Sequence, residues 1–128
     1  MNPELIPHVP LFDSVRRRRH GELAALADEI HVPAGKTLIR KGALASEFFV
    51  VLDGVAEVTD EGRSLGPVGP GDCFGEVGLL RGPLRTATVR AATPRRLIVV
   101  GRREFASLSA DFPEVGARIE ARMLARAS

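Results

Sequence analysis

Two residues stand out as chemically suggestive, Glu76 and Arg85. They lie nine positions apart in the stretch Gly71–Val89, GDCFGEVGLLRGPLRTATV. GEVGLL has helical composition, and a helix beginning near Glu76 would start with unpaired N–H groups and the positive end of its dipole. Both attract an anion. Gly75 permits a ligand to come close to the backbone. Arg85 offers a forked donor suited to a phosphate. Glu76 has the wrong sign for phosphate and the right one for sugar hydroxyl donors, as an acid serves in dinucleotide sites. The combination reads as a sugar–phosphate cradle. The competing reading is a sheet corner carrying a surface Glu–Arg pair. A Gly-rich loop with Lys is lacking, so nothing indicates nucleoside triphosphate hydrolysis.

Other chemistries find little support. His8, His20 and His31 are scattered without ligand spacing, so no metal is expected. Cys73 is the one cysteine; it cannot form an intrachain disulfide and reads as a small buried apolar residue. No serine sits in a GxSxG elbow, and an enzyme is not expected. The 18 basic and 16 acidic side chains leave a net charge of +2, which does not call for DNA or a membrane surface as partner. Arg16–Arg17–Arg18–Arg19–His20 reads as a solvated basic flank, with a site for an anionic partner as the alternative. Aromatics are 5% of the chain, all Phe, too few for a surface that stacks single-stranded nucleic acid. The start, MNPELIPHVPLF, lacks a signal-peptide pattern. No apolar run approaches the ~20 residues of a membrane span. A cytoplasmic location without membrane insertion is the expectation.

The elements that must hold the cradle fall into three zones of a single domain, residues 1–128. In 1–28, Pro3, Pro7 and Pro10 break any long helix, and a short amphipathic helix is expected from His20 to Asp28. Zone 29–101 is strand-forming. Its segments EIHV, KTLI, EFFVVLD, VAEVTD, RSLGPV, ATVRAA and RRLIVVG are punctuated by Gly and Pro, as in a sandwich or roll. Phe48–Val51 is apolar at consecutive positions and should be covered on both faces. Ala56–Asp60 alternates, with its inward face ambiguous. Zone 102–128 is helical. Asp111 is expected to cap a last helix with Pro113 in its first turn and Glu114 at the third position. Phe112, Val115, Ile119 and Met123 form an apolar stripe; Arg118, Arg122 and Arg126 form a cationic one.

The 74–88 stretch resembles the phosphate-binding cassette of the cyclic nucleotide-binding domain family. The matching residues are Phe74–Gly75–Glu76, Gly78, Leu79, Arg85, Ala87 and Thr88. The similarity extends upstream through Pro10–Leu11–Phe12, Pro33–Ala34–Gly35, Lys41–Gly42, Phe48–Phe49–Val50 and Leu52–Asp53–Gly54. Downstream it takes in Arg102, Glu104–Phe105 and Phe112–Pro113–Glu114.

The resemblance implies a mainly β fold: an eight-stranded antiparallel, jelly-roll-like β-roll with short N-terminal helices and two C-terminal helices. It implies a regulatory sensor for a cyclic nucleotide, cAMP first and cGMP second, and no cofactor. Glu76 would accept from the ribose 2′-hydroxyl and Arg85 would pair with the cyclic phosphate. Backbone around Gly75, Gly78, Thr86 and Ala87 would complete the anion site. Leu65, Val77 and Val89 would line the sugar and base pocket. The last helix would act as a lid, with Arg126 first and Arg122 second over the base.

Two positions depart from the family. Gly78 replaces the usual Ala, which should loosen the cassette helix by ~1 kcal/mol at most. Thr86 replaces the Ala of many cAMP receptors and widens the ligand set to cGMP. The alternative to a sensor is a structural or interaction module with the same roll and no ligand. No helix-turn-helix follows the last helix, so direct DNA binding is not expected. The effector is unidentified. A monomer is favoured, with a weak homodimer through the apolar stripe as the alternative.

Overall fold

The computed structural model describes residues 1–127, with side chains described through Ala125. The chain opens with three 3₁₀ turns, Pro3–His8, Pro10–Phe12 and Arg17–Arg19, and a short helix α1 (His20–Ala24). The strands are β1 (Asp28–Val32), β2 (Thr37–Ile39), β3 (Glu47–Asp53), β4 (Ala56–Asp60), β5 (Arg63–Val68), β6 (Cys73–Phe74), β7 (Thr88–Ala91) and β8 (Arg95–Gly101). A helical turn α2 (Glu76–Leu80) interrupts them, and α3 (Arg102–Asp111) and α4 (Pro113–Ala127) follow. Two antiparallel four-stranded sheets face each other, in the orders β1-β8-β3-β6 and β2-β7-β4-β5. This is the expected eight-stranded roll with helices at both ends.

The hydrophobic pattern follows from which faces are covered. Phe49 and Val51 of β3 point into the roll with Phe74, Val89 and Leu97. Phe48 and Val50 point outward, yet they too are buried, under Leu11, Phe12, Phe105, Leu108, Val115 and Ile119 from the helical segments. A strand covered on both sides has no polar positions to alternate. β4 lies in the other sheet; Ala56 and Val58 turn inward while Glu57 is exposed, which resolves its ambiguous face. The β4–β5 hairpin turns through Glu61 (φ 54°) and Gly62 (φ 76°), the double left-handed pair that a two-residue type I′ loop requires.

Three local expectations need correction. α1 stops at Ala24, four residues early, because the chain must straighten to enter β1 at Asp28. Asp111 is not a cap: it is the last residue of α3, and Phe112 alone separates the two helices. Its carbonyl instead accepts from Arg19 Nη1 (2.9 Å), whose guanidinium lies 4.1 Å from the Phe112 ring centroid. Arg19 therefore is not simply part of a solvated flank; it staples the N-terminal segment to the α3–α4 corner.

The α4 stripe is consumed within the domain. Phe112, Val115 and Ile119 are fully buried and Met123 is 6% exposed. Each such side chain contributes about 1.5–3 kcal/mol by leaving water. A homodimer through this stripe would have to undo that packing.

Candidate functional site

The cassette is held in place by backbone pairing before any ligand is considered. Arg85 N–H donates to the Ala43 carbonyl (2.8 Å), Gly42 N–H to the Arg85 carbonyl (3.0 Å), and Ala45 N–H to the Pro83 carbonyl (2.7 Å). These bonds stitch the 83–85 segment onto the β2–β3 connection. Arg102 donates to the Ala45 carbonyl and ties the same connection to the start of α3.

The Arg85 side chain is fixed as firmly as its backbone. It is 7% exposed; Nη1 donates to the Gly75 carbonyl (2.7 Å) and Nη2 to the Glu47 carbonyl (2.5 Å). A guanidinium has five donors, so others remain beyond these two. Burial pushes its pKa down, against the charges of Glu47 and Glu76, which hold it up, while Arg102 adds to the lowering. An arginine stays charged through such shifts.

Gly75 is the hinge between β6 and α2, at φ 95°. A Cβ there would sit 2.9 Å from the Glu47 carbonyl oxygen and 3.2 Å from Arg85 Nη1. Glycine is therefore required twice, by conformation and by space. Gly78 has a packing role besides its cost in helix propensity. A Cβ at 78 would lie 2.6 Å from the Ala45 Cβ. Its absence lets α2 pack directly on the β2–β3 connection, so adding a methyl for helix propensity would collide rather than stabilise.

Between α2, the inner face of the second sheet and the end of α4 lies a cavity of ≈ 420 Å³. That is within the usual range for a small-molecule site, ~300–1,000 Å³. Gly75, Glu76, Val77, Gly78, Arg85, Thr86, Ala87, Leu65 and Val89 all border it. Glu76 is fully buried at the wall. The wall carries both charge signs, and most of the remaining lining is apolar.

Arg122 is not part of this wall. Its Nη1 donates to the Gly71 carbonyl (2.8 Å), and Arg118 Nη1 to the Pro10 carbonyl (2.8 Å) and Asp13 Oδ1 (2.7 Å). The cationic stripe thus fastens α4 to the β5–β6 turn and to the N-terminal turns. The residues α4 does place over the cavity are Met123 and Leu124. The Arg126 side chain lies outside the described residues. Sequence reasoning also missed Phe74, Val58, Arg81 and the Gly66–Val68 edge. Phe74 could have been taken from its place beside Gly75. Leu124 had no signal, since it stands off the apolar stripe and is 48% exposed.

Among the described residues, no helix is long and apolar enough to cross a membrane, and no three His, Cys, Asp or Glu side chains are grouped to hold a metal ion.

Comparison with known proteins gives the family of the chain. A cyclic nucleotide-gated potassium channel of Rhizobium etli is 32% identical over 125 residues, 98% of this chain and 35% of the channel. The chain thus spans about a third of the length of that relative. The solved catabolite activator protein of Thermus thermophilus superposes with a TM-score of 0.77 at 28% identity, over 92% of this chain and 59% of that one. The regulatory domain of Toxoplasma gondii PKA, solved with cAMP, gives a TM-score of 0.70 at 28% identity, over 82% and 42%. The sequence profile described as "Cyclic nucleotide-binding domain" matches residues 29–112, most of the chain and all of the cassette. The chain belongs to the cyclic nucleotide-binding domain family.

Proposed function

We propose that the domain is a regulatory sensor that binds a cyclic nucleotide, cAMP first and cGMP second. The observation that carries this is one cavity wall holding both a buried carboxylate, Glu76, and a buried, pre-positioned guanidinium, Arg85. Arg85 pairs with the cyclic phosphate, and backbone around Gly75, Gly78, Thr86 and Ala87 completes the anion site. Glu76 accepts from the ribose 2′-hydroxyl. Leu65, Val77 and Val89 contact sugar and base, with Met123 and Leu124 closing from above. The residues bind and orient; none is assigned a chemical step. The sensed state is passed on to an effector through α4, whose end meets the cavity while its body packs on the core.

Calorimetric titration with cAMP and cGMP tests the reading. Absence of heat and of any thermal stabilisation with either nucleotide would leave a roll without ligand function. The assignment of Glu76 is tested separately. Glu76→Gln is expected to weaken cAMP markedly and 2′-deoxy-cAMP much less, because the carboxylate serves one hydroxyl donor. Equal losses for both would make Glu76 a structural residue.

The packing of α4 also sets what a lid can do. Val115 and Ile119 are fully buried in the helical cluster, whereas Leu124 borders the cavity and is half exposed. Amide exchange is expected to slow on adding cAMP at residues 122–125 and to stay unchanged at 115–119. Protection rising equally along the whole helix would show that α4 docks as one body.

A further inference from the structure

Arg95, the first residue of β8, is 2% exposed, and its Nε, Nη1 and Nη2 atoms are buried without a hydrogen-bond partner among the described residues. The pleat explains its direction. Arg95 shares a strand face with Leu97, which lies in the roll interior, while Arg96 on the other face pairs with Asp53 (2.8 Å) and Glu29 (3.5 Å). Gly54 closes over its root: a Cβ on Gly54 would lie 2.6 Å from the Arg95 Cβ. The guanidinium reaches inward to 5.8 Å from the centroid of the Phe74 ring. Phe74 in turn stacks on Phe49 (4.9 Å) and borders the ligand cavity.

A buried cation that meets the Phe74 ring but makes no hydrogen bond among the described residues costs stability. The charged and titratable groups near it are Asp53 at the end of β3, Arg96 beside it on β8, and Glu29 and His31 of the paired strand β1. The one acid whose charge acts on Arg95, Asp53, is already engaged by Arg96 through two bonds of 2.8 Å. Arg95 therefore has no counter-ion of its own inside the roll. Its charge lies behind one aromatic ring from the cavity, and a phenyl ring screens a field far less than water does.

We propose that Arg95 is a further cation of the ligand site, a buried charge behind Phe74 that acts through the low-dielectric interior to favour an anionic ligand. This rests on the cyclic-nucleotide reading and adds a residue that does not touch the ligand. It sets specificity for charge, while Arg85 makes the contact. At an effective dielectric of ~20, a charge that acts across the interior without touching the ligand is expected to change binding by about tenfold.

The test uses Arg95→Met and Arg95→Lys in the intact chain, titrated with cAMP at pH 6 and pH 9 beside the unaltered protein. Arg95→Met keeps length and removes charge. It is expected to unfold at a higher temperature and to bind cAMP about tenfold more weakly at both pH values. Arg95→Lys is expected to bind nearly as the unaltered chain does at pH 6 and to fall toward the Met variant at pH 9, because a lysine in an apolar interior gives up its proton readily. A packing role would move neither the order of the variants nor the pH dependence of the lysine variant. Unchanged cAMP affinity in Arg95→Met overturns the inference and leaves the sensor reading standing. So does an equal loss in Arg95→Lys at both pH values. An unaltered chain that binds neither cAMP nor cGMP removes both. Should the Met variant fail to fold, the pH profile of the Lys variant alone decides.

Discussion

Arg85→Ala is expected to lower cAMP affinity by roughly 30- to 5,000-fold, the equivalent of ~2–5 kcal/mol for truncating one partner of a buried, hydrogen-bonded charge pair. The side chain sits on the cavity wall, fixed by the carbonyls of Gly75 and Glu47. It needs little rearrangement to meet a phosphate, so most of its electrostatic attraction appears as affinity. The same truncation strips those two carbonyls of a donor, and a separate stability loss of ~1–3 kcal/mol is expected. Calorimetry on protein shown to be folded by denaturant titration separates the two effects. Affinity equal to that of the unaltered chain would remove Arg85 from phosphate binding and return it to a purely structural bond between β3 and the cassette.

Gly75→Ala is expected to be the more damaging of the glycine substitutions at the site, costing roughly 2–3 kcal/mol in stability. Part of that is conformational, since φ is 95° and an L-residue there is strained. The rest is steric: the new Cβ meets the Glu47 carbonyl oxygen at 2.9 Å and Arg85 Nη1 at 3.2 Å. Relief requires the Arg85 fork to move, so cAMP affinity should fall with stability. Gly35→Ala is the control. Gly35 has a similar φ of 89°, but nothing lies within 4 Å of the added methyl, and only the conformational part should appear. Urea midpoints for the two variants give the comparison. Equal midpoints would show that the cassette yields to the methyl at no cost.

A sandwich or roll was legible in the sequence because its signals are local. Gly and Pro punctuation marked the turns, and Phe48–Val51 announced a strand covered on both faces. β6 was not anticipated. It has two residues, Cys73 and Phe74, and exists only because β3 pairs with it; no period can show in so short a segment. The expected cap at Asp111 failed for a related reason. Asp-x-x-Glu is a sound helix-start pattern, but α3 runs on through Asp111 because Phe105 and Leu108 are buried on it and Phe112 turns into the core.

The cationic stripe of α4 shows where reading by type ends. Arg118 and Arg122 lie four apart on one face. Periodicity does not say which neighbour that face will meet. Here it meets the carbonyls of Pro10 and Gly71, while Met123 and Leu124 turn toward the cavity. Arg95 makes the same point more sharply. In the sequence it is one of two arginines opening a strand, and only alternation across a closed roll buries one and leaves the other half-exposed.

The sequence by itself determined a β sandwich or roll and singled out Glu76 and Arg85, because these rest on residue types at short spacings, and the family resemblance added the eight-stranded roll and the cassette. The tertiary structure decided what surrounds the cavity. The packing of α4 on the core selected which of its residues close the site. The pairing of residues 83–85 with the β2–β3 connection fixed the reach of Arg85. The closure of the two sheets placed Arg95 behind Phe74. Each is a contact between segments distant along the chain, set by which surfaces become buried together, and no local pattern encodes it.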